Sequence, residues 1–171
     1  MIKNILITGG TRGLGLEYAR YLSTKNYNIG LTDISKEACT IYGEADSIES
    51  ILNNLKKNSV QAWFWPADLT KQEETEEMVK EFISKFGVIN GIITNAGGDI
   101  AGRGKNAEGG KAENNSFFID KLEHENIFDR NYYTCFNTLK AVIPYMKKQG
   151  FGKVVTVSSV NAVFGVEKET A

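Results

Sequence analysis

The segment Thr8-Gly9-Gly10-Thr11-Arg12-Gly13-Leu14-Gly15 links an apolar run to a helical pattern. Glycines at such a turn admit positive φ and remove the Cβ atoms that would keep backbone away from a phosphate. A helix that starts there offers free N–H groups and the positive end of its dipole to a pyrophosphate. A tight turn with no ligand is the alternative for the glycines by themselves. Asp33 argues against it. It closes the next apolar run, 18 residues after Gly15. An acidic side chain at that strand end accepts hydrogen bonds from an adenosine ribose and repels a 2′-phosphate. Asp33, with Ile34 beside it, therefore favours NAD over NADP. Arg12 argues the other way, as a cation able to hold a 2′-phosphate, but Asp33 lies more directly at the ribose. The turn and strand end supply Gly9, Thr11, Arg12, Gly13, Leu14, Gly15, Asp33 and Ile34 as candidate cofactor-binding residues.

The elements around these residues alternate between strand and helix. Strands are predicted at Ile2–Thr8, Ile29–Thr32, Val60–Pro66, Ile89–Thr94 and Val154–Ser158. Helices are predicted at Leu14–Thr24, with Leu14, Tyr18, Tyr21 and Leu22 on one side, and at Ser47–Lys57, where Ile48, Ile51, Leu52 and Leu55 repeat at three and four. A third helix is expected to start at Thr70 as N-cap, with Glu73 completing a capping box, and to stop at Gly87. A fourth covers Asp129–Gln149 and ends at Gly150. The strands lack clean polar alternation, which favours burial on both faces. The fold class implied is α/β: a Rossmann-type, doubly wound parallel sheet with helices on both faces, built by right-handed βαβ units. One domain is expected over residues 1–171. A polar segment, Asp99–Asn115, carries Arg103, Lys105 and Lys111; it reads as a surface insertion or as a loop beside the substrate.

Composition narrows the partners. A net charge of −1 gives no electrostatic reason for a nucleic acid or an anionic membrane surface. No apolar stretch nears the roughly 20 residues that span a bilayer. The apolar run Ile5–Ile7 breaks at Gly9-Gly10, unlike a signal peptide. Two cysteines, Cys39 and Cys135, suit a reducing cytoplasm. The sole histidine, His124, sits in a charged stretch and reads as a surface residue, so no metal site is expected. Trp63 and Trp65 alternate on a strand and are expected to pack against helices, while Phe82, Phe86 and Tyr145 at helical spacings read as core and not as cofactor contacts.

The spacing Gly-x-x-x-Gly-x-Gly resembles the short-chain dehydrogenase/reductase family. Further motifs fall in the family's order. Asp68-Leu69 after the third strand resembles the pair that brackets adenine. Asn95-Ala96-Gly97 after the fourth strand resembles the Asn-Asn-Ala-Gly motif, with Thr94 in place of the first Asn. Asn131 on the long helix and Ser159 in Val157-Ser158-Ser159 match the Asn and Ser of a catalytic tetrad, 28 residues apart. The family's tyrosine usually follows its serine by thirteen positions. From Ser159 that count lands on the position just after Ala171, which selects Ser159 over Ser158. The chain is therefore expected to be about the N-terminal two-thirds of a longer protein, without the Tyr/Lys pair. The resemblance implies an NAD(P)-dependent oxidoreductase that moves hydride between nicotinamide and a secondary alcohol or ketone. Its small-molecule substrate is expected to be polar, such as a sugar or hydroxy acid, and the full-length form a homodimer or homotetramer. A non-catalytic dinucleotide-binding protein or cofactor sensor is the alternative.

Overall fold

Strand β1 (Lys3–Thr8) sends alternate side chains to opposite faces of one sheet, and each face has its own apolar core. The computed structural model of the chain describes residues 2–98, 100–103, 108–111 and 118–164. β1 lies between β2 (Tyr27–Asp33) and β4 (Gly91–Thr94). β3 (Ala62–Pro66) flanks β2, and β7 (Lys153–Thr156) flanks β4. All pairings in this five-stranded sheet are parallel, with Ile5 opposite both Ile29 and Gly91. The order β3-β2-β1-β4-β7 reverses direction at β1. Such a reversal opens a crevice at the carboxyl ends of the central strands, where ligands bind in doubly wound folds.

Helices α1 (Gly13–Thr24) and α2 (Ile48–Lys56) cover one face, where Leu16, Ile51 and Leu55 meet Ile5, Ile7, Ile29 and Leu31. Helices α3 (Gln72–Phe86) and α5 (Thr134–Gln149) cover the other, where Val79, Phe82 and Val142 meet Leu6, Trp65 and Ile92. Burial of β1 after Lys3 and of β2 after Tyr27 explains the missing alternation in their sequences, whereas edge strand β3 alternates partly. At the amino end of the sheet, Asn28 Nδ2 donates to Asn4 Oδ1 at 2.9 Å, and Gln61 N donates to Asn28 Oδ1 at 2.8 Å. Asn4 also donates to the Phe86 and Val88 carbonyls and accepts no mismatch of register without losing these bonds.

Several sequence expectations change. The buried side of α1 is Gly15, Leu16, Ala19 and Ser23, while Leu14 and Tyr21 are exposed. Small residues let α1 lie close to the sheet, so the larger side chains are turned outward. Thr70 is not the cap of α3. Its hydroxyl donates to Asp68 Oδ1 at 2.6 Å, and Lys71 occupies the cap position without a side-chain cap bond. Ser47, by contrast, caps α2 by accepting from Ser50 N. The fourth helix starts earlier than its periodicity implies. α4 (Lys121–Phe128) runs through a π-helical turn, Asp129–Tyr133, into α5. His124 is exposed on α4. Within the predicted polar segment, β5 (Ile100–Arg103) and β6 (Glu108–Lys111) pair antiparallel and β5 packs against α4. Asp99, Lys105 and the 112–115 end of that segment lie outside the described residues, as do residues 165–171.

Trp65 is buried beside Phe82, with ring centroids 5.7 Å apart, while Trp63 is half-exposed under the Lys85 ammonium. Phe86 and Tyr145 pack partly buried against the same core. Phe82 depends on Gly30: a Cβ at Gly30 would lie 2.5 Å from Phe82 Cε2. Phe82→Ala is expected to lower unfolding free energy by about 3–5 kcal/mol in urea denaturation. A loss below about 1 kcal/mol would contradict its central place in this core.

Candidate functional site

The glycine turn takes its shape from contacts at close range. Gly9 and Gly13 have φ of +58° and +51°, a region that disfavours side chains with a Cβ. A Cβ at Gly15 would fall 2.1 Å from the Gly9 carbonyl oxygen, and one at Gly10 would fall 2.9 Å from the Ile7 oxygen. These approaches fold the first turn of α1 back onto the end of β1. A Cβ at Gly13 would meet no atom within 4 Å, so this residue faces open space.

The turn is closed from the β4 side. Thr8 Oγ1 accepts from the backbone N–H groups of both Asn95 and Ala96, each at 3.0 Å. Asn95 Nδ2 donates to the Gly9 oxygen at 3.1 Å. Thr94, which departs from the family motif, is buried and its hydroxyl accepts from Cys135 Sγ. The substitution therefore leaves the backbone bonds of Asn95 and Ala96 in place.

Asn131 meets the next residues of the same loop. Its Oδ1 accepts from Gly98 N, and its Nδ2 donates to the oxygens of Gly98 and Ile127, all at 2.8 Å. A Cβ at Gly97 would lie 2.7 Å from Asn131 Oδ1. The π turn thus sets the Asn131 amide against Gly97 and Gly98. Ser158 and Ser159 are exposed beyond the end of β7, where Val157 N donates to the Thr94 oxygen. Thr8, Gly9, Asn95 and Ala96 form one bonded group, Asn131 is bonded to Gly98 of the same loop, and Ser159 lies on the neighbouring strand end.

The other end of the crevice is acidic and basic at once. Asp33 is nearly buried. Its Oδ2 accepts from the Thr11 hydroxyl at 2.6 Å, and its Oδ1 accepts from Ile34 N at 3.0 Å. Each oxygen keeps capacity for a further donor such as a ribose hydroxyl. Thr11 is fully buried, so its side chain acts by fixing Asp33. Asp68 is braced by its own loop: Oδ1 accepts from Thr70, and its N–H donates to Glu74 Oε2 at 3.0 Å. Bonds from Lys71 and then from the Asp68 N–H hold the Glu74 carboxyl below its usual range. That brace is present at neutral pH and is lost as pH falls through the lowered value. Leu69 is buried, and Asn137 Nδ2 donates to the oxygens of Leu69 and Thr70, both at 3.0 Å.

Sequence reasoning missed Asn137, Tyr42, Glu44 and Arg130. Asn137 carries a readable signal, because a polar residue among Thr134, Thr138 and Ala141 on a buried helix face needs a partner. Glu44 carries none, since it reaches Gly13 N, at 2.6 Å, from 31 residues away. A carboxylate oxygen thus occupies the first N–H of α1, at the positive end of the helix dipole. A cavity of about 490 Å³ lies between α2 and β3, lined by Leu52, Trp63, Phe64 and the candidate cofactor residue Ile34; it holds none of the predicted catalytic residues. No three His, Cys, Asp or Glu side chains among the described residues are grouped to hold a metal ion. No helix among them is long and apolar enough to cross a membrane.

A strand-turn-helix cradle at a sheet reversal, closed by a second strand end, defines a nucleotide-binding doubly wound fold. Residues 3–171 match the family model for short chain dehydrogenases, and the chain belongs to that family. It is 27% identical over 165 residues to the 3-oxoacyl-acyl-carrier-protein reductase FabG of Staphylococcus epidermidis, covering 96% of this chain and 59% of the relative. It is also 27% identical over 170 residues to a D-beta-hydroxybutyrate dehydrogenase of Rhizobium meliloti, covering 95% and 56%. The solved structure of an NADH-dependent reductase, A1-R′, responsible for alginate metabolism superposes with a TM-score of 0.77 at 27% identity, covering 98% of this chain and 63% of that one. The chain thus spans less than two-thirds of the length of these relatives.

Gly15→Ala tests the close approach in the turn. It is expected to cost about 1–3 kcal/mol, seen as a lower melting temperature. An unchanged melting temperature would contradict the contact with Gly9.

Proposed function

We propose that this chain forms the dinucleotide-binding portion of an NAD(P)-dependent oxidoreductase that interconverts a secondary alcohol and a ketone, with NAD preferred over NADP. The observation that carries the reading is the Gly9–Gly15 cradle, closed by Asn95 and Ala96 and flanked by Asp33. Residues 1–171 are read as a single dinucleotide-binding unit. In this reading the N–H groups of the turn hold the pyrophosphate. Asp33 and Ile34 receive the adenosine ribose, and Asp68 and Leu69 bracket the adenine. Asn95, Ala96 and Gly97 line the nicotinamide side. A bound nicotinamide dinucleotide supplies the hydride acceptor or donor. Ser159 orients the substrate oxygen by hydrogen bonding, and Asn131 serves the proton relay from beside Gly97 and Gly98. The general acid/base must sit within hydrogen-bond reach of the same oxygen.

A polar substrate, such as a sugar or a small hydroxy acid, is the favoured class. It is supported by Arg103 and Lys111 in the β5–β6 segment and by relatives named for hydroxybutyrate and for alginate metabolism. The full-length protein is read as a cytoplasmic homodimer or homotetramer.

Calorimetric titration of the chain with NADH and NADPH tests the cofactor reading. NADH is expected to bind, and more tightly than NADPH; no heat with either would sink it. In the full-length protein, Ser159→Ala is expected to lower turnover by about 10²–10³-fold while NADH affinity stays within about twofold. Unchanged turnover would remove Ser159 from the reaction.

A further inference from the structure

Three charged groups, Asp33, Arg12 and Glu44, lie at the adenosine end of the crevice. Asp33 is pinned by Thr11 and Ile34. Arg12 lies over the Tyr42 ring, its Cζ 5.7 Å from the centroid. Glu44, two residues on, accepts from Gly13 N at 2.6 Å. Burial first, and then the charge of Arg12, pull the Arg130 guanidinium below its ordinary value, while Tyr42 and Asp33 act in the opposite sense. It stays charged nonetheless. The segment from Tyr42 to Glu44 is therefore folded over the glycine turn, with an aromatic face on Arg12 and a carboxylate beside it.

Two carboxylates, Asp33 and Glu44, stand at the turn that carries Arg12, so the positive charge there is already offset. A 2′-phosphate carries about −1.5 to −2 and needs a surplus of positive charge. Arg12 supplies charge of the needed sign, since a guanidinium is well suited to phosphate. Asp33 opposes that from the buried side and is fixed there. Glu44 opposes it from the exposed side, next to the residue whose side chain would grip the phosphate. Glu44 engages the first N–H of α1, whereas the pyrophosphate common to both dinucleotides has the following N–H groups of the helix start to use.

We infer that Glu44 is a specificity-determining residue, which sets the preference for NAD by cancelling the arginine charge that a 2′-phosphate would otherwise meet. This rests on the dinucleotide reading above. It assigns Glu44 the role of a discriminator acting through charge, not of a plug in the pyrophosphate position.

The test is calorimetric titration of NADH and NADPH into the wild-type chain, Glu44→Gln and Glu44→Ala, at low and high salt. Glu44→Gln keeps an acceptor oxygen for Gly13 N and removes the charge. Both variants are expected to tighten NADPH binding by about 10-fold at low salt and to leave NADH within about twofold. The gain should shrink as salt screens this exposed corner. Equal tightening of both dinucleotides would mean that Glu44 blocks the shared pyrophosphate position, and would overturn the inference. So would an unchanged ratio of the two affinities. If the wild-type chain binds neither dinucleotide, the dinucleotide reading fails, and this inference with it; binding of both with no response to Glu44 defeats the inference and leaves that reading standing.

Discussion

The Gly9 carbonyl oxygen stands so close to Gly15 that a Cβ at position 15 would force the turn to shift. That approach brings the start of α1 down onto the end of β1, and much else follows from it. It directs the first N–H groups of the helix toward the crevice. It places the Gly9 oxygen where the Asn95 side chain can donate to it, so that the β4 end closes the same turn. It also brings α1 close to the sheet, which is why the helix buries Leu16, Ala19 and Ser23 and turns Leu14 and Tyr21 outward. The geometry is bought by omission of side chains, and the hydrogen bonds of Thr8 and Asn95 then hold it in one conformation.

Electrostatics at the two ends of the crevice differ in kind. Around Asn131 and Gly98 the polar groups are neutral amides in mutual contact, suited to holding a loop in shape. Around Asp33 they are ions of both signs, where removal of a single charge shifts the balance. The first end is thus held together by neutral hydrogen bonds, and the second by charges of both signs.

What the sequence discloses follows the range of the interactions. The order of strands and helices is legible because buried parallel strands are apolar on both faces and α2 repeats Ile48, Ile51 and Leu55 at helical spacing. The glycine turn is legible because its strain is local. Asn95 and Asn131 are legible through their family motif, and their actual bonds are with Gly9, Gly98 and Ile127. The α3 start misleads because Thr70 has a nearer acceptor in Asp68 than the helix N–H groups. The long helix begins before Asp129 because α4 has a weak apolar pattern, with Ile127 as its buried residue. Strands β5 and β6 are glycine-rich and polar, and their pairing with each other is invisible to periodicity. Glu44 is illegible for a different reason, since its partner is a backbone N–H that any residue at position 13 would present.

The bonds that complete the glycine turn join residues 86 to 88 positions apart. As a chain is synthesised from its amino terminus, β1, the turn and α1 emerge long before Asn95 does. The loop between them must close before Thr8 finds its donors, and closing it has an entropic cost that local structure does not. The phosphate cradle is thus encoded within eight residues, Thr8–Gly15, but matures only when β4 has docked beside β1. A nucleotide that recognises the finished cradle would select chains that have passed this step, and would draw nascent or refolding molecules toward the paired sheet by mass action.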